Sequence, residues 1–303
     1  MMVLLLAIIT AVFFPGLIVR VKSLLSGRKG PGLFQPWKNI WVLLHKGSVI
    51  STTTSFIFHI APVIYFSSVL CAILLLPFPG TPSPFTFEGD FVFLAYLLAL
   101  GKFMFILSSL DTGSSFEGMG ANREALYSML VEPAFFIIFG TLALATGNTS
   151  MQDIFSHLQH GGYTSAIIIV MAVYLLVQIA MIENSRMPVD DPKTHLELTM
   201  IHEVMILDHS GFDLALIHSA TVLKFSLFGI LIANFIIPQD AGLILELIVF
   251  FAIQVLFASL IGVMESFQAR KKLTKNPEFI LTLSSIALIA FALILLITFK
   301  RIM

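Results

Sequence analysis

The stretch ENSRMPVDDPKTHLELTMIHEVMILDHSG, residues 183–211, separates two long apolar runs, TSAIIIVMAVYLLVQIAMI at 164–182 and IHSATVLKFSLFGILIANFII at 217–237. Each run approaches the ~20 residues that a helix needs to cross the hydrocarbon core of a bilayer. Residues 183–213 also hold seven of the chain's 18 acidic residues. Two membrane spans joined by an acidic, histidine-bearing segment therefore indicate a membrane protein with several helical spans. This segment, hereafter the insert, is the first place to look for a functional site.

The rest of the chain repeats the same apolar pattern. Its residues are 57% hydrophobic and 12% charged, whereas about a quarter of the residues in a soluble domain are charged. The apolar runs predict eight spans, at about 2–19, 56–77, 91–110, 124–146, 164–182, 217–237, 243–264 and 279–299. We expect an all-α, polytopic integral membrane helix bundle that forms a single transmembrane domain over residues 1–303.

Composition also excludes several classes of function. A net charge of −1 gives no excess of positive charge of the kind that attracts nucleic acid. The single Cys71 excludes an internal disulfide, a cysteine zinc site and an iron–sulfur centre within this chain. The first apolar run has no basic segment before it, so it predicts an uncleaved span rather than a signal peptide. Any redox chemistry is therefore expected to belong to a partner.

The basic residues indicate how the spans are oriented. Thirteen of the 17 Lys and Arg residues lie in the links after spans 1, 3, 5 and 7, and the opposite links carry none. By the positive-inside rule, both termini are expected on the non-cytoplasmic side of a multi-pass protein in the cell inner (cytoplasmic) membrane. The predicted cytoplasmic loops are about 20–55, 111–123, 183–216 and 265–278.

The first predicted loop contains a short amphipathic pattern. Trp37, Ile40, Trp41 and Leu44 recur at helical spacing, opposite polar residues such as Lys38. The pattern favours a short helix at the membrane interface. The alternative is a solvated loop packed on its own protein.

Three charged residues interrupt the apolar runs. A helix rises about 1.5 Å per residue, which predicts that Lys102, Glu132 and Lys224 all lie roughly 10–12 Å below the cytoplasmic boundary of the membrane. Glu183 ends span 5 and Glu124 begins span 4 on that side, so the five could form one layer. A charge at a helix centre costs about 2.5–3.5 kcal/mol on insertion scales. The layer has two interpretations: ion pairs that hold helices together, such as Glu132 with Lys102 or Lys224, or a proton route beside the insert.

The histidines of the insert raise the question of a metal site. His195, His202 and His209 are seven residues apart and could share one helical face. They do not form an HExxH motif, because Ile206 stands four residues after His202. A spacing of seven places the side chains two turns apart, too far for one ion without other ligands. We therefore expect a protonatable surface or docking contacts, and no metal.

Together, several motifs resemble one protein family: the membrane subunit that anchors the peripheral arm of respiratory complex I, with its counterparts in group 4 [NiFe] hydrogenases and formate hydrogenlyase. RKGPG at 28–32 is similar to the family's first-loop element. LDTGSSFEGMGANREA at 110–125, with the Glu-Pro pair that follows it, resembles the hydrogenase branch. ENSRMPVDD at 183–191 matches the Glu…Arg-x-Pro-Phe-Asp element, with Val189 in place of the usual Phe. LDHSG at 207–211 resembles the family's Glu-Tyr-Ser-Gly.

The resemblance implies a non-catalytic membrane subunit of an oxidoreductase complex that binds no cofactor of its own. The implied partners are hydrogenase-like large and small subunits on the cytoplasmic side, which would carry the [NiFe] and iron–sulfur centres, together with antiporter-like membrane subunits and lipid. The predicted proton-path and coupling residues are Lys102, Glu124, Glu132, Glu183, Asp190, Glu197, Glu203, Asp208 and Lys224. The predicted docking and loop residues are Arg28, Gly30, Pro31, Asp111, Arg123, Arg186 and Pro188.

Two alternatives stay open. In the first, the chain belongs to a complex I-like quinone reductase and holds quinone in a chamber between the first loop and the insert. In the second, it is a stand-alone cation or proton transporter. The sequence shows no internal repeat and no pair of matching spans broken by Gly or Pro, which many secondary transporters have. This weakens the second alternative.

Overall fold

The computed structural model describes residues 2–79, 81, 83–159, 162–191, 200–238 and 242–302. Over these residues the regular secondary structure is helical, apart from one isolated β-bridge between Phe78 and Thr81. The helices are α1 (Met2–Leu25), α2 (Gln35–Leu44), α3 (Phe56–Leu74), α4 (Asp90–Asp111), α5 (Ser115–Thr146), α6 (Met151–Gln159), α7 (Tyr163–Glu183), α8 (His202–Met205), α9 (Gly211–Ile236), α10 (Leu243–Phe267) and α11 (Asn276–Ile302), with a 3₁₀ turn at Leu273–Lys275 before α11.

Eight helices in the described parts of the chain are long and apolar enough to cross a membrane: α1, α3, α4, α5, α7, α9, α10 and α11. The prediction of an all-α bundle with eight spans is confirmed. Several helices run beyond the predicted apolar limits; α5 begins at Ser115 and α9 at Gly211. Hydropathy finds only the apolar centre of a helix, whereas residues such as Glu, Arg and Ala continue the helix outside it.

Helix α9 lies at the centre of the bundle. It packs against α1, α2, α3, α7 and α10. Of the most apolar 18-residue stretch of α9, 72% is buried within the protein, against 28% for α11 at the periphery. Lys224, near the middle of α9, is therefore shielded from lipid by its own chain. The two ends of the bundle differ: the end that carries the insert, hereafter the insert side, also carries α2.

The predicted short helix in the first loop is present as α2. It packs on α9 through buried Ile40, while the Trp41 side chain is 55% exposed. The segment before α2 folds back along α1, where a Cβ at Gly16 would lie 1.7 Å from the carbonyl oxygen of Leu33. Only glycine at position 16 allows this approach, so α1 helps to fix the position of α2.

A second glycine brings the insert against α5. A Cβ at Gly120 would lie 2.2 Å from Cγ1 of Val204 and 2.9 Å from the carbonyl oxygen of Ile201. Helix α8 of the insert can therefore pack directly on the α5 backbone. One turn earlier, Ser114 and Glu117 have the spacing of a helix-capping box. The carboxylate of Glu117 instead accepts a hydrogen bond from the Asp208 backbone N–H at 3.0 Å, which fixes the far end of the insert.

We expect Gly120→Ala to loosen the insert, because its Cβ would overlap Val204 and Ile201. Overpacking of this kind costs about 1–3 kcal/mol. The matched control is Gly118→Ala on the same helix, where the nearest atom to a new Cβ is 4.0 Å away. Limited proteolysis of the insert in membranes should be faster in Gly120→Ala alone. Equal cleavage rates in the two variants would contradict close packing at Gly120.

Candidate functional site

Four charged side chains from four helices meet inside the bundle near the insert side. Lys102 Nζ of α4 lies 2.9 Å from Glu124 Oε1 of α5 and 3.0 Å from Glu183 Oε2 at the end of α7. Lys224 Nζ of α9 lies 2.7 Å from the same Glu183 oxygen. We call these four residues the lysine–glutamate group. The sequence predicted each of them from its position in or beside an apolar run.

The group is almost closed to solvent. The Lys224 side chain is 0% exposed and the Glu183 side chain 11% exposed. Two ammonium and two carboxylate groups balance in charge, and the shared oxygen of Glu183 joins them. Buried charges remain ionised only where partners replace the lost hydration, and removal of one partner leaves a buried charge unpaired. The four helices are therefore held together by charges that depend on one another.

The two lysines are held differently. Lys224 also donates a hydrogen bond to the main-chain carbonyl oxygen of Glu183 at 3.0 Å. It thus satisfies a carbonyl at the carboxyl end of α7, where a cation is electrostatically favoured. Lys102 instead lies between two carboxylates at nearly equal distances. Lys224 therefore binds both the side chain and the main chain of Glu183, whereas Lys102 bridges the carboxylates of Glu124 and Glu183.

Glu132 does not join the group. Its side chain is exposed on the bundle surface and makes no ion pair with any residue that the structure describes. Eight residues along a helix correspond to a rotation of about 80°, so Glu132 cannot share the buried face of Glu124. It lines a cleft of about 30 Å³ together with Lys102 and Glu183, room for about one or two water molecules. Glu132 is therefore separated from the group by a water-sized gap.

A second set of ion pairs fixes the start of the insert to other loops. Glu265, at the end of α10, pairs with Arg186 at 3.1 Å and with Lys22 of α1 at 3.4 Å. Asp190 pairs with Arg270 at 2.8 Å and accepts a hydrogen bond from the His202 backbone N–H at 3.0 Å. The sequence did not indicate that Arg186 pairs with Glu265 or Asp190 with Arg270, because the two residues of each pair are about 80 residues apart in the chain.

Several predicted docking residues also bind within the chain. Arg123 donates to the Met200 carbonyl oxygen at 3.1 Å, and the Asp111 carboxylate accepts from the Ser55 backbone N–H at 2.7 Å. The Pro188 carbonyl accepts from the Lys271 backbone N–H at 3.0 Å. These contacts brace the loops against one another and shape the surface that a partner would meet.

The other predicted residues lie on or near that surface. Those with exposed side chains or backbone are Arg28, Gly30, Pro31 and Asp208. Glu203 lines the chamber described next. Glu197 lies outside the described residues, so its predicted role stays a prediction.

A chamber of about 490 Å³ opens between α2, the insert and α9. Its wall combines apolar residues, such as Ile40, with Asn184, Arg186, His202 and His218. The sequence analysis did not single out Asn184 or His218. The available signal for His218 was a histidine in the apolar run of α9, six residues before Lys224.

The two described histidines of the insert have separate environments. His202 faces the chamber, whereas His209 stacks on Phe58 with ring centroids 4.0 Å apart and bonds to Ser108 at 3.4 Å. Burial lowers the pKa of His202 to about 3, and the positive charges of His218, Lys224, Lys102 and Arg186 act in the same direction. His202 is therefore a neutral imidazole that can both donate and accept a hydrogen bond.

Comparison with known proteins places this architecture in a family. The chain matches the family described as NADH dehydrogenase over residues 1–298. It belongs to the NADH dehydrogenase family. The family resemblance drawn from the sequence motifs is thereby confirmed.

Within the NADH dehydrogenase family, similar proteins come from both branches of the resemblance. The chain is 36% identical to hydrogenase-4 component C of Escherichia coli over 67% of its own length and 63% of that relative, less than two thirds. It is 28% identical to formate hydrogenlyase subunit 4 of Escherichia coli over 90% of this chain and 91% of the relative. NADH-ubiquinone oxidoreductase chain 1 of Cyanidium caldarium is 26% identical over 62% of this chain and 56% of the relative.

The fold is also that of a subunit in a solved respiratory complex. A chain from the archaeal membrane-bound sulfane sulfur reductase superposes with a TM-score of 0.82, at 17% identity and 97% coverage of both chains. The chain is thus a multi-pass membrane protein of the kind found in complex I-like and hydrogenase-4-like assemblies.

Asp190 should make the stability of the insert depend on pH. Burial raises the pKa of its carboxyl from 3.8 to about 6, against the opposing hydrogen bond from His202 and the charge of Arg270. Between these values the folded insert binds more protons than the unfolded one, so its stability falls as pH rises and levels off above about 6.

We expect hydrogen exchange in the insert to speed up between pH 4 and pH 6 beyond its intrinsic pH dependence. In Asp190→Asn this extra slope should disappear, whereas the exposed Asp208→Asn should keep it. A wild-type slope that persists in Asp190→Asn would assign the pH dependence to another group.

Proposed function

We propose that this chain is the non-catalytic membrane subunit that docks a hydrogenase-like soluble arm and couples its redox chemistry to proton (or sodium) translocation. The observation that carries the proposal is the position of Glu183. Its carboxylate is shared by two buried lysines, and its main chain begins the insert. A displacement of the insert therefore acts directly on buried charges.

The connections of the insert support this coupling. Beyond Glu183, the insert is tied to α10 through Arg186 and Glu265, and to the α10–α11 link through Asp190 and Arg270. It is thus anchored by charges at its membrane end, and a docked partner would push against anchored charges. Redox-linked movement of the insert would change how Lys102 divides between Glu124 and Glu183.

The position of Glu132 supports lateral transfer of protons from this chain to a neighbouring membrane subunit. An exposed carboxylate within a membrane-spanning helix is costly in contact with lipid, so this surface suits a protein neighbour. The cleft beside Glu132 reaches Lys102 and Glu183. Protons or a change of electric field would pass from the lysine–glutamate group through Glu132 to antiporter-like membrane subunits.

Under this proposal the insert side faces the cytoplasm and both termini lie on the opposite side of the inner membrane, an orientation that the basic links support. The likeness to hydrogenase-4 component C and formate hydrogenlyase subunit 4 favours hydrogenase-like large and small subunits as the soluble arm. The [NiFe] and iron–sulfur centres would belong to those subunits.

We expect Glu183→Gln and Glu132→Gln to abolish or strongly reduce proton translocation per electron while the complex still assembles. Neutral Gln keeps the side-chain shape but cannot take up a proton. Glu246→Gln, near the opposite end of α10, is the control. The measurement is proton uptake in vesicles during redox turnover, with assembly checked by co-purification of the soluble subunits. Unchanged proton translocation in both Glu183→Gln and Glu132→Gln would rule out a proton relay through these carboxylates.

The chamber favours a second candidate function, quinone binding in a complex I-like quinone reductase. Its volume of about 490 Å³ falls in the range of small-molecule sites, about 300–1,000 Å³. It combines an apolar wall at α2 and α9 with polar groups at Arg186 and His202, which suits a ring with two carbonyls. Turnover of added quinone by the intact complex, blocked by quinone-site inhibitors, would favour this function. Turnover that neither needs quinone nor responds to the inhibitors would exclude it.

A further inference from the structure

The first part of the chain carries positive charge without any acidic residue to balance it. Residues 1–87 hold six of the 17 Lys and Arg residues and no Asp or Glu. Among the described residues, only Lys22 of these six forms an ion pair, with Glu265 at 3.4 Å. The other five are exposed: Arg20, Arg28, Lys29, Lys38 and Lys46. The insert side therefore presents cations that the chain itself does not neutralise.

Three of these five cations lie together beside the last turns of α1. The Arg28 backbone N–H donates to the Ser23 carbonyl oxygen at 2.9 Å. A Cβ at Gly30 would lie 2.7 Å from Ser23 Oγ and 3.6 Å from the Cα of Arg20. The loop that carries Arg28 and Lys29 is therefore folded back on α1 next to Arg20.

An apolar cleft of about 240 Å³ lies between α1 and α10, next to the segment that leads into α2. Its apolar wall includes residues from all three parts of the chain: Phe13, Leu17, Leu33, Phe251, Val255 and Ala258. Phe13 is 44% exposed and Val255 is 53% exposed, although both stand within membrane-spanning helices. The cleft therefore opens on the surface of the bundle that meets lipid.

The two polar side chains of the cleft wall have their polar atoms directed into the protein. Thr10 Oγ1 donates to the Leu6 carbonyl oxygen of its own helix at 2.9 Å. The Gln254 amide lies against α9, where a Cβ at Gly229 would be 2.2 Å from its Oε1. The cleft thus offers hydrocarbon surface almost alone, which suits an acyl chain better than a polar ligand.

The cleft and the basic loop follow one another along α1. Leu33 lines the cleft, and its carbonyl oxygen lies 1.7 Å from where a Cβ at Gly16 would be. From Leu17, the rise of the helix puts Arg20 about 4.5 Å and Ser23 about 9 Å further toward the insert side. In a phospholipid the phosphate likewise lies beyond the acyl chains, on the side of the water. A lipid chain in the cleft would bring its phosphate to the level of these cations.

We propose that α1, α10 and the loop at 26–34 form a binding site for one anionic phospholipid of the leaflet on the insert side. One acyl chain occupies the cleft, and Arg20, Arg28 and Lys29 bind the phosphate. Basic residues at a membrane surface attract anionic lipids, and Arg binds phosphate through two parallel N–H donors. A zwitterionic lipid adds a cation to its phosphate, which three unneutralised cations disfavour. The inference does not depend on the proposed function, because it uses neither the lysine–glutamate group nor the chamber.

The experiment uses the full-length chain in phosphatidylcholine vesicles, with one tryptophan as reporter. The native Trp37 and Trp41 both lie in α2 and are replaced by Phe, and Phe13→Trp places the reporter at the cleft. A fixed fraction of the lipid is brominated on its acyl chains, as phosphatidylglycerol or as phosphatidylcholine. We expect brominated phosphatidylglycerol to quench at least threefold more strongly at position 13. The control reporter Leu288→Trp, exposed on peripheral α11, should be quenched equally by the two lipids.

Charge variants of the Phe13→Trp reporter identify the residues that bind the phosphate. Replacing Arg20, Arg28 and Lys29 by Gln should lower the quenching ratio to about one. Replacing Lys38 and Lys46 by Gln removes exposed charge from α2 and the residues after it, and should keep the ratio above two. An equal loss in the two sets would assign the preference to general surface charge and would overturn the binding site.

Three further results would overturn the inference. Equal quenching by the two lipids at position 13 would show that the cleft does not select anionic lipid. Absence of quenching by either lipid would show that something other than a lipid chain covers the cleft. Loss of the soluble subunits from the variant complex with an unchanged quenching ratio would assign Arg20, Arg28 and Lys29 to docking of those subunits.

If the reporter variants do not fold, the lipid is measured on the purified complex without them. Mass spectrometry of lipid retained through detergent purification should find about one more anionic phospholipid per wild-type complex than per complex with Arg20, Arg28 and Lys29 replaced by Gln. Equal amounts of anionic phospholipid in the two complexes would contradict the inference.

Discussion

One carboxylate oxygen governs the arrangement of the bundle core. Glu183 Oε2 is bound by lysines from two different helices, at 2.7 Å and 3.0 Å. In a medium where water cannot hydrate charges, Lys224 has no other carboxylate partner among the described residues, and Lys102 has only Glu124 besides. The relative positions of α4, α7 and α9 follow from that requirement, and Glu124 adds α5 through Lys102. Burial of apolar side chains contributes less to these helix contacts than it would in water, because lipid tails are as apolar as the side chains they touch.

The insert extends this constraint beyond the membrane. It begins on the shared glutamate, and ion pairs at Arg186 and Asp190 tie its first residues to the far end of the chain. Glycine at position 120 and the Glu117 carboxylate hold its second half on α5. Residues 183–191 and 200–211 of this acidic segment are therefore packed against the bundle rather than forming a solvated loop. Within these described parts, Glu183, Arg186 and Asp190 form ion pairs with residues of other segments.

The sequence predicted those features that depend on local composition. The eight spans, α2, and the presence of charges at one depth all follow from runs of apolar residues and their interruptions. The sequence suggested Glu132 as an ion-pair partner, but its position around the α5 axis keeps it on the surface. The pairs with Glu265 and Arg270, and the chamber residues Asn184 and His218, depend on contacts between distant segments. A single sequence with no related sequences beside it carries no signal for such contacts.

The burial of α9 has a consequence for how the protein is made. It is the least apolar of the eight spanning helices and the most enclosed, and it carries Lys224 and Asn234 in its interior. Such a segment partitions poorly into lipid when it leaves the translocon alone. The counter-charge on Glu183, at the end of α7, is synthesised first. Pairing with Glu183 therefore favours the integration of α9, and the contact that joins the two helices in the mature bundle also contributes while the chain is being inserted.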